Sequence, residues 1–335
     1  MKIYIFIGVL LISGCSSQYS QHFFRENPEF WNIQNVISGE LFNSDGHIDS
    51  LPNKTTQGTL IESIHNAQKR IWIEMYTWTD AAKLTDPIIQ AKMRWVDVRV
   101  VLEGNVFWTP KINNSIFKKL KDSKITVIYA DNYRYSFTHA KFWIIDNTYS
   151  ISTGNWTASF FTKNREYIYT GIDTGTLKFL EEIFLSDSSH LGFKNISVIP
   201  SHIVISPLDA RLKIEELILS TQKKLVIYVQ TLDDEHIISL IVALYNKKKD
   251  IRICTADNES NQERMAAFPF LSWKTIRKPY LHAKIIMVDE NKIYIGSHNL
   301  TTNAIENNRE IGIILDHRNN IFSQIEGDFI SDGCR

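Results

Sequence analysis

The sequence has no excess of either charge, few cysteines and no long apolar run. It contains 37 basic and 37 acidic residues, which gives a formal net charge of zero. A chain that binds long nucleic acid by neutralising phosphates is usually more basic, so this balance argues weakly against a processive nuclease, although a neutral total is compatible with a local basic groove. The 335 residues, 44% hydrophobic and 22% charged, suit one large folded domain or two smaller ones.

The three cysteines are Cys15, Cys254 and Cys334. Cys254 ends an apolar run over residues 251–254 and is predicted to be a buried free thiol. A bond between Cys254 and Cys334 would suit an exported protein, but nothing in the spacing supports it.

The N-terminal apolar run is short. Residues 1–13 read MKIYIFIGVLLIS, in which about ten apolar residues are too few to cross a bilayer as a mature helix. With Gly14 and Cys15 they resemble a bacterial lipoprotein signal, which implies removal of residues 1–14 and lipidation of Cys15. An uncleaved anchor is the alternative. Either interpretation predicts an exported protein held at a bacterial membrane, at its periplasmic face or in the outer membrane. Serine at position 16, directly after Cys15, resembles the pattern of outer-membrane lipoproteins.

Residues 281–310, LHAKIIMVDENKIYIGSHNLTTNAIENNRE, carry the clearest chemical pattern. Within them, H-x-K-x4-D spacing is followed by a Gly-Ser-x-Asn turn, and the residues concerned are His282, Lys284, Asp289, Gly296, Ser297 and Asn299. Because side chains alternate along a strand, His282 and Lys284 point the same way. An imidazole beside an ammonium in an apolar strand suits an anion site, in which Lys284, Ser297 and Asn299 hold phosphate oxygens and His282 performs covalent or proton-transfer chemistry.

A second copy occupies residues 138–166, THAKFWIIDNTYSISTGNWTASFFTKNRE. The corresponding residues are His139, Lys141, Asp146, Gly154 and Asn155. One such pattern is common by chance in an ordinary strand. Two copies, each followed by a Gly/Asn turn and then by Asn-Arg-Glu, point to a shared site.

The paired pattern resembles the phospholipase D superfamily, whose members assemble one active site from two such motifs. The likeness extends from about residue 55 onward. It implies double displacement at a phosphodiester, in which His139 attacks phosphorus and His282 acts as general acid and base; physical reasoning alone leaves the two roles exchangeable. Lys141 and Lys284 would supply the positive charge that a metal ion otherwise brings, so no metal and no cofactor is expected.

Four acidic residues belong to the pattern. We expect Glu166 and Glu310, which end the two Asn-Arg-Glu triplets, to orient the histidines as the carboxylate of a catalytic triad does. The alternative is that each triplet is a turn with a surface salt bridge. Asp146 and Asp289 are interpreted as structural ties to turn backbone, as the resemblance implies.

The two copies differ after the aspartate. Gly296 lies seven residues after Asp289 and is followed by a serine, whereas Gly154 lies eight residues after Asp146 and is followed by asparagine. We therefore expect a shortened first turn, in which Thr153 replaces the missing hydroxyl. His298, at the variable position of the second turn, is predicted to face solvent.

A repeat that is independent of these motifs predicts the fold. QKRIWIEMYTWTD at 68–80 resembles QKKLVIYVQTLDD at 222–234, and VDVRVV at 96–101 resembles KDIRIC at 249–254. Helical and strand-like segments recur in the same order in both halves, at a period of about 150 residues, which suits a duplicated α/β domain. We predict two similar α-β-α sandwich lobes around a pseudo-twofold axis, with one active site between them.

The predicted boundaries are a signal peptide at 1–14, an N-terminal extension at 15–54, a first lobe at 55–198 and a second lobe at 199–335. Four residues at the ends of corresponding strands are equally compatible with pocket walls and with plain core: Glu74, Tyr76, Tyr228 and Gln230.

The predicted function is that of an exported, lipid-anchored phosphodiesterase acting on phospholipid at a membrane surface through a phosphohistidine intermediate. Transfer to an alcohol, as in cardiolipin synthases, differs only in what attacks the intermediate. The alternatives are a metal-independent nuclease of the same superfamily and a non-catalytic surface lipoprotein, against which the intact histidine and lysine of both motifs argue. No obligate protein partner is implied, and a monomer is expected.

Overall fold

The first seven strands and five helices form one α/β lobe. A computed structural model describes residues 46–131, 133–189, 199–316 and 319–334 of the chain. The strands of the first lobe are β1 (His47–Leu51), β2 (Arg70–Met75), β3 (Asp97–Leu102), β4 (Thr126–Tyr129), β5 (Lys141–Ile145), β6 (Thr148–Ser152) and β7 (Asn164–Gly171). Its helices are α1 (Lys54–Asn66), α2 (Thr85–Met93), α3 (Asn114–Asp122), α4 (Ala158–Thr162) and α5 (Thr174–Ser189), with a 3₁₀ turn at Asp80–Ala82.

The second lobe repeats this order. Its strands are β8 (Ile203–Ser206), β9 (Lys224–Val229), β10 (Asp250–Ala256), β11 (Ser272–Ile276), β12 (Tyr280–Leu281), β13 (Lys284–Val288), β14 (Lys292–Gly296) and β15 (Glu310–Asp316). Its helices are α6 (Ala210–Leu219), α7 (Glu235–Asn246), α8 (Glu259–Ala267), α9 (Thr302–Glu306) and α10 (Asn319–Ser331). None of the helices described is long and apolar enough to span a membrane.

The two sheets have the same strand order. It is β1-β7-β6-β5-β2-β3-β4 in the first lobe and β8-β15-β14-β13-β9-β10-β11 in the second. The three strands at one end are parallel, β2-β3-β4 and β9-β10-β11, and the other neighbours are antiparallel. The predicted duplication of an α/β domain is therefore confirmed.

Local sequence explains these elements. The central strands are short apolar runs such as KLVIYV in β9 and KIIMV in β13, which are buried almost throughout, as strands covered on both faces are. Asparagine or aspartate caps several helices: the side chain of Asn53 accepts from Thr55 N before α1, and that of Asp234 accepts from Ile237 N before α7. Each lobe has its own hydrophobic core.

The first lobe begins earlier than predicted. Strand β1 pairs with β7 inside the segment that was assigned to the extension. Short strands at a sheet edge carry little periodicity, so hydrophobic pattern does not reveal β1. The predicted signal peptide, Cys15 and most of the extension lie outside the described residues, as do residues 190–198 at the predicted boundary between the lobes.

Reciprocal strand pairings join the lobes beside both H-x-K motifs. Strand β12 of the second lobe pairs in parallel with β7 of the first, and Arg165 O accepts a hydrogen bond from His282 N at 3.2 Å. Reciprocally, Thr138 forms a parallel bridge with Arg309, whose carbonyl oxygen accepts from His139 N at 2.8 Å. The backbone of each motif histidine is thus hydrogen-bonded to the opposite lobe, at the seam.

The prediction of a free thiol at Cys254 is wrong. Cys254 of β10 is joined by a disulfide to Cys334, with 5.6 Å between the Cα atoms. Helix α10 contacts both lobes, because Ser50 of β1 donates to Asp328 at 2.5 Å and the ring of Tyr228 in β9 lies 5.3 Å from that of Phe329. The residues after it bring Cys334 to β10. The 80-residue separation between the cysteines carries no sign of this approach, so spacing alone could not reveal the bond.

Candidate active site

His139 is held by a carboxylate from the other lobe. Its Nδ1 lies 2.9 Å from both carboxylate oxygens of Glu310, which is fully buried. Burial lowers the pKa of His139 to about 4, although Glu310 opposes this. Burial alone would raise the pKa of Glu310, but the charges of His139 and Lys141 hold it at about 2. At neutral pH a neutral imidazole therefore donates Nδ1–H to the carboxylate, which leaves the Nε2 lone pair for chemistry.

His282 has the reciprocal arrangement. Its Nδ1 lies 2.8 Å from Oε1 of Glu166, which belongs to the first lobe. Burial lowers the pKa of His282. Burial alone would raise the pKa of Glu166, but the contact of this carboxylate with His282 lowers it. The triplet asparagines orient the two carboxylates, because Nδ2 of Asn164 donates to Glu166 at 3.1 Å and Nδ2 of Asn308 donates to Glu310 at 3.0 Å.

Both motif lysines are buried in the same site. Nζ of Lys284 donates to Thr153 O and to Gln230 Oε1, each at 3.2 Å, and Nζ of Lys141 donates to the carbonyl oxygen of its own motif histidine. Burial lowers the pKa of Lys284 to about 8 and that of Lys141 well below its usual value. Lys284 of the second motif contacts Thr153 of the first lobe, and each motif histidine contacts a glutamate of the other lobe, so the two motifs form one site. A bound anion would favour the charged form of both lysines.

The motif aspartates lie at the opposite ends of their strands from the histidines. The carboxylate of Asp146 accepts three backbone N–H bonds from Gln68, Lys69 and Arg70, at 2.9, 2.7 and 3.0 Å. Asp289 accepts the equivalent three from residues 222–224 at 2.6, 2.6 and 2.8 Å. These bonds lower the pKa of both carboxylates against the effect of burial. Neither aspartate takes part in the histidine pairs.

The expectation of a shortened first turn is wrong, because the missing residue lies in the preceding hairpin. Ile145 pairs with Thr148 across two residues, whereas Val288 pairs with Lys292 across three. Beyond the hairpins the two turns match: Oγ1 of Thr153 accepts from Tyr167 N at 2.9 Å, and Oγ of Ser297 accepts from Ile311 N at 3.0 Å. Bridges at Trp156 and Leu300 then align the next position. The equivalent pairs are Thr153 with Ser297, Gly154 with His298, and Asn155 with Asn299.

The two predicted glycines therefore have different tasks. A Cβ on Gly154 would lie 2.4 Å from the Glu166 carboxyl carbon, so this glycine makes room for the carboxylate. A Cβ on Gly296 would lie 2.5 Å from Gly312 Cα, so that glycine allows β14 and β15 to approach. Among the described residues, the amide oxygens of Asn155 and Asn299 are buried without a hydrogen-bond partner. Because such an orphan is costly and an amide oxygen only accepts, both oxygens are suited to a ligand group that donates a hydrogen bond, while the amide nitrogens can donate to a phosphate oxygen.

His298 is buried, which contradicts the prediction that it faces solvent. Its Nδ1 lies 2.5 Å from the hydroxyl of Tyr294, and its Nε2 is buried with no hydrogen-bond partner in the described structure. Burial lowers the pKa of His298 to about 4, the charge of Glu310 opposes this shift and that of Lys141 adds to it. The variable position of a Gly-Ser-x-Asn turn carries no signal of this burial.

Sequence reasoning missed the triplet arginines. Nε and Nη2 of Arg165 donate to Asp332 at 2.7 and 2.8 Å, and Nη2 of Arg309 donates to Asp187 at 2.7 Å. Each arginine thus reaches from its own lobe into the other, beside the glutamate that holds a histidine. The alternative of a surface salt bridge is wrong for both triplets. Recurrence of the same arginine in both copies was the available signal.

Of the four residues that were compatible with either pocket wall or core, two line the site and two are buried. The ring of Tyr76 lies 4.5 Å from that of His139, and Gln230 contacts Lys284, so these two line the site. Glu74 is buried instead, where desolvation and Asp187 raise its pKa well above the usual value. Tyr228 is also buried and donates its hydroxyl to Asp332.

Two histidines, two lysines and two amides around one site suit transfer at a phosphodiester. One imidazole is positioned to attack, the other to transfer a proton, and the lysines and amides to hold the equatorial oxygens. In the described residues no group of three or more His, Cys, Asp or Glu side chains is arranged to hold a metal ion.

Comparisons with solved structures show proteins of similar fold. One solved structure with a similar fold is phosphatidylserine synthase from Haemophilus influenzae, with a TM-score of 0.66 and 15% identity, covering 86% of each chain. Another is polyphosphate kinase from Porphyromonas gingivalis, with a TM-score of 0.64 and 12% identity, covering 84% of this chain and 49% of that one.

A curated relative, the DISARM protein DrmC of Bacillus paralicheniformis, is 57% identical over 35 residues, which are 10% of this chain and only 15% of DrmC. The family model described as "Cardiolipin synthase, PLD-like domain" matches residues 60–188 and again 214–332, one match in each lobe. With both of its motifs inside a doubly matched family domain, the chain belongs to the phospholipase D superfamily.

Proposed function

We propose that this protein is a phospholipase D-type phosphodiesterase that acts on phosphatidyl groups through a phosphohistidine intermediate. The observation that carries the proposal is the crossed pair of histidine–carboxylate contacts, His139 with Glu310 and His282 with Glu166. Each contact fixes the Nδ1–H tautomer and directs Nε2 away from the carboxylate. A site that only bound phosphate would have no need of two imidazoles held in this way.

In the proposed first step, Nε2 of His139 attacks phosphorus and the bond from phosphorus to the leaving alcohol breaks. His282, in its protonated form, gives that alcohol its proton. In the second step the neutral His282 takes a proton from water or an acceptor alcohol, whose oxygen attacks phosphorus and releases His139. Lys141 and Lys284 stabilise the charge on the equatorial oxygens in both steps.

A trapping experiment tests these roles. With a p-nitrophenyl phosphodiester, whose leaving group needs no proton, His282→Ala should accumulate an acid-labile phosphorylated protein and His139→Ala should not. The reverse pattern exchanges the two assignments. An adduct on neither variant, with the parent active, contradicts the double-displacement scheme.

Phospholipid is the substrate we propose. The matched family description names cardiolipin synthase, and the neutral formal charge gives no general support to nucleic-acid binding. Hydrolysis and transfer to an alcohol share the same intermediate, so both belong to the proposal. Labelled phosphatidylcholine, phosphatidylglycerol and single-stranded DNA, each incubated with the purified protein with and without added glycerol, separate these activities. Turnover of the DNA alone would favour a nuclease.

We also propose that the protein is exported and anchored through lipidated Cys15. The support is the signal-like sequence of residues 1–15. Acyl chains on the cysteine would supply the membrane affinity. The variant Cys15→Ala should fold but should lose most of its membrane fraction, and a variant that sediments with membranes as completely as the parent would contradict the anchor.

A further inference from the structure

A row of neighbouring aromatic rings extends from the solvent-exposed surface to His139. The Tyr76 ring lies 4.5 Å from the imidazole, Phe137 lies 6.2 Å from Tyr76, Phe107 lies 5.9 Å from Phe137, and Trp108 lies 4.7 Å from Phe107. All these distances join ring centroids. We call Phe107, Trp108 and Phe137 the aromatic rim. It is continuous with the candidate active site.

The outer part of the rim is exposed although it is strongly apolar. Trp108 is 89% exposed and Phe107 is 56% exposed. The loop that carries them follows β3 and is tied to the site, because the Tyr76 hydroxyl accepts a hydrogen bond from Phe107 N at 2.9 Å. Adjacent large aromatic side chains at a loop tip beside a site indicate an interaction surface, because folding alone gives no reason to expose them.

The corresponding wall of the second lobe is polar. Gln230 takes the place of Tyr76, where it accepts from Lys284 Nζ at 3.2 Å and donates to the hydroxyl of Tyr280 at 3.0 Å. The site therefore has an apolar wall beside His139 and a hydrogen-bonding wall beside His282. A phosphodiester with one apolar and one polar substituent fits such a site in one orientation.

We propose that the aromatic rim inserts into the interfacial region of a lipid bilayer and receives the acyl-glycerol part of the substrate there. This inference rests on the proposed function, since it names the side on which a phosphatidyl group lies. Tryptophan and phenylalanine at loop tips favour the boundary between head groups and acyl chains. The polar substituent, which leaves with the proton of His282, then lies against the wall that contains Gln230.

Charge around the rim favours lipid over single-stranded nucleic acid. Surfaces that stack bases combine aromatic rings with cations that follow the phosphate backbone. The two loops of the rim, residues 103–112 and 130–138, contain two basic and two acidic residues, Lys111 and Arg134 against Glu103 and Asp131. Arg134 lies 3.4 Å from the Asp131 carboxylate. Because Glu103 is buried, the surface charges of these loops are Lys111 and Arg134 against Asp131, a net of one positive charge, and a row of cations that could follow a phosphate backbone is not present in the described part of the two loops.

Fluorescence quenching tests the insertion without relying on turnover. The full-length protein is bound to vesicles of phosphatidylethanolamine and phosphatidylglycerol with brominated acyl chains, and the parent is compared with Trp108→Phe and Trp95→Phe. Trp95 is the matched control, because it is 93% exposed but precedes β3, at the opposite end of that strand. The difference between parent and variant isolates the emission of each tryptophan.

We expect the Trp108 component to be quenched by the brominated chains and the Trp95 component to be unaffected. Equal quenching of both components, or of neither, overturns the proposal. A Trp108 component that responds to a single-stranded oligonucleotide and not to vesicles also overturns it, in favour of nucleic acid.

Turnover provides a second arm. Activity on vesicles, divided by activity on a monomeric short-chain phospholipid, should fall about tenfold in Trp108→Ser, as expected when one aromatic side chain can no longer be buried in the bilayer. Trp95→Ser should keep the parent's ratio, and an unchanged ratio in Trp108→Ser counts against the rim. If no phosphodiester is turned over by any form, the proposed function fails, while the quenching result still decides whether the rim enters a bilayer.

Discussion

Replacing each site glutamate with glutamine tests the crossed pairing of the lobes. Glu310 belongs to the second lobe but contacts His139 of the first, and Glu166 has the reciprocal position. If the contacts function as the geometry indicates, Glu310→Gln should impair the chemistry of His139, and Glu166→Gln that of His282. A carboxylate that served its own lobe would give the opposite assignment.

The size of the effect follows from the contact geometry. Nδ1 of His139 lies 2.9 Å from both Glu310 oxygens. With charge centres about 4 Å apart and an effective dielectric constant near 20, the carboxylate stabilises an imidazolium by at most about 4 kcal/mol. Glutamine keeps the shape and an acceptor but loses this charge. The rate of phosphoenzyme formation should therefore fall by roughly 10²- to 10³-fold in Glu310→Gln.

Rapid-quench kinetics with a p-nitrophenyl phosphodiester separate the two steps. Glu310→Gln should release the first nitrophenolate slowly and accumulate no adduct. Glu166→Gln should form the adduct at a rate close to the parent's but break it down slowly, because His282 must activate water. Glu216→Gln, on the exposed surface of α6, is the control and should match the parent. An adduct that accumulates in Glu310→Gln and not in Glu166→Gln would refute the crossed arrangement.

Three further outcomes are expected. Turnover should survive EDTA, since the two buried lysines lie where metal-dependent enzymes place cations; loss of activity that a divalent ion restores would contradict this. The kcat/KM profile should be bell-shaped, with its maximum on the acid side of pH 6.5. Activity should rise with pH as His139 loses its proton near its pKa of about 4. It should fall again as His282, whose pKa lies below its usual value of 6.5, loses the proton that it must donate. A maximum above pH 8 would exclude these protonation roles. Replacing both Cys254 and Cys334 with serine should lower the free energy of unfolding in urea by up to about 4 kcal/mol, as the loss of a link closing 80 residues implies; no change would mean that the bond does not form.

Hydrophobic pattern and repeats predicted the inner part of each lobe. The apolar runs of β2, β3, β9 and β10 were recognisable because strands buried on both faces are almost continuously hydrophobic. The edge strands β1 and β8 and the terminal helix α10 were not predicted, since few residues and long-range packing define them.

Contacts between the lobes could not be predicted from the sequence. The motifs predicted that two histidines share a site, but spacing says nothing about which glutamate reaches which histidine. That choice depends on the exchanged pairings of β12 with β7 and of Thr138 with Arg309, which are properties of the assembled seam. The one-residue difference between the motifs was visible, yet its position in the hairpin became clear only from strand register.

The duplicated backbone supplies two nearly equivalent half-sites, whereas the reaction needs two different ones. A double displacement needs one imidazole that is neutral when it attacks and another that is protonated when the alcohol leaves. The described structure places the differences in side chains: Tyr76, beside His139, corresponds to Gln230, which contacts Lys284, and Gly154 corresponds to His298. The glycine lets Glu166 lie close to its own turn, where Oγ1 of Thr153 donates to it at 2.7 Å. His298 occupies that space in the second lobe, and Glu310 instead directs both oxygens to His139. One substitution at a variable turn position therefore gives the two histidines different carboxylate contacts: Nδ1 of His139 lies 2.9 Å from both oxygens of Glu310, whereas Nδ1 of His282 lies 2.8 Å from one oxygen of Glu166. Two half-sites with the same backbone can in this way differ in how they hold an imidazole, which the two proposed roles require.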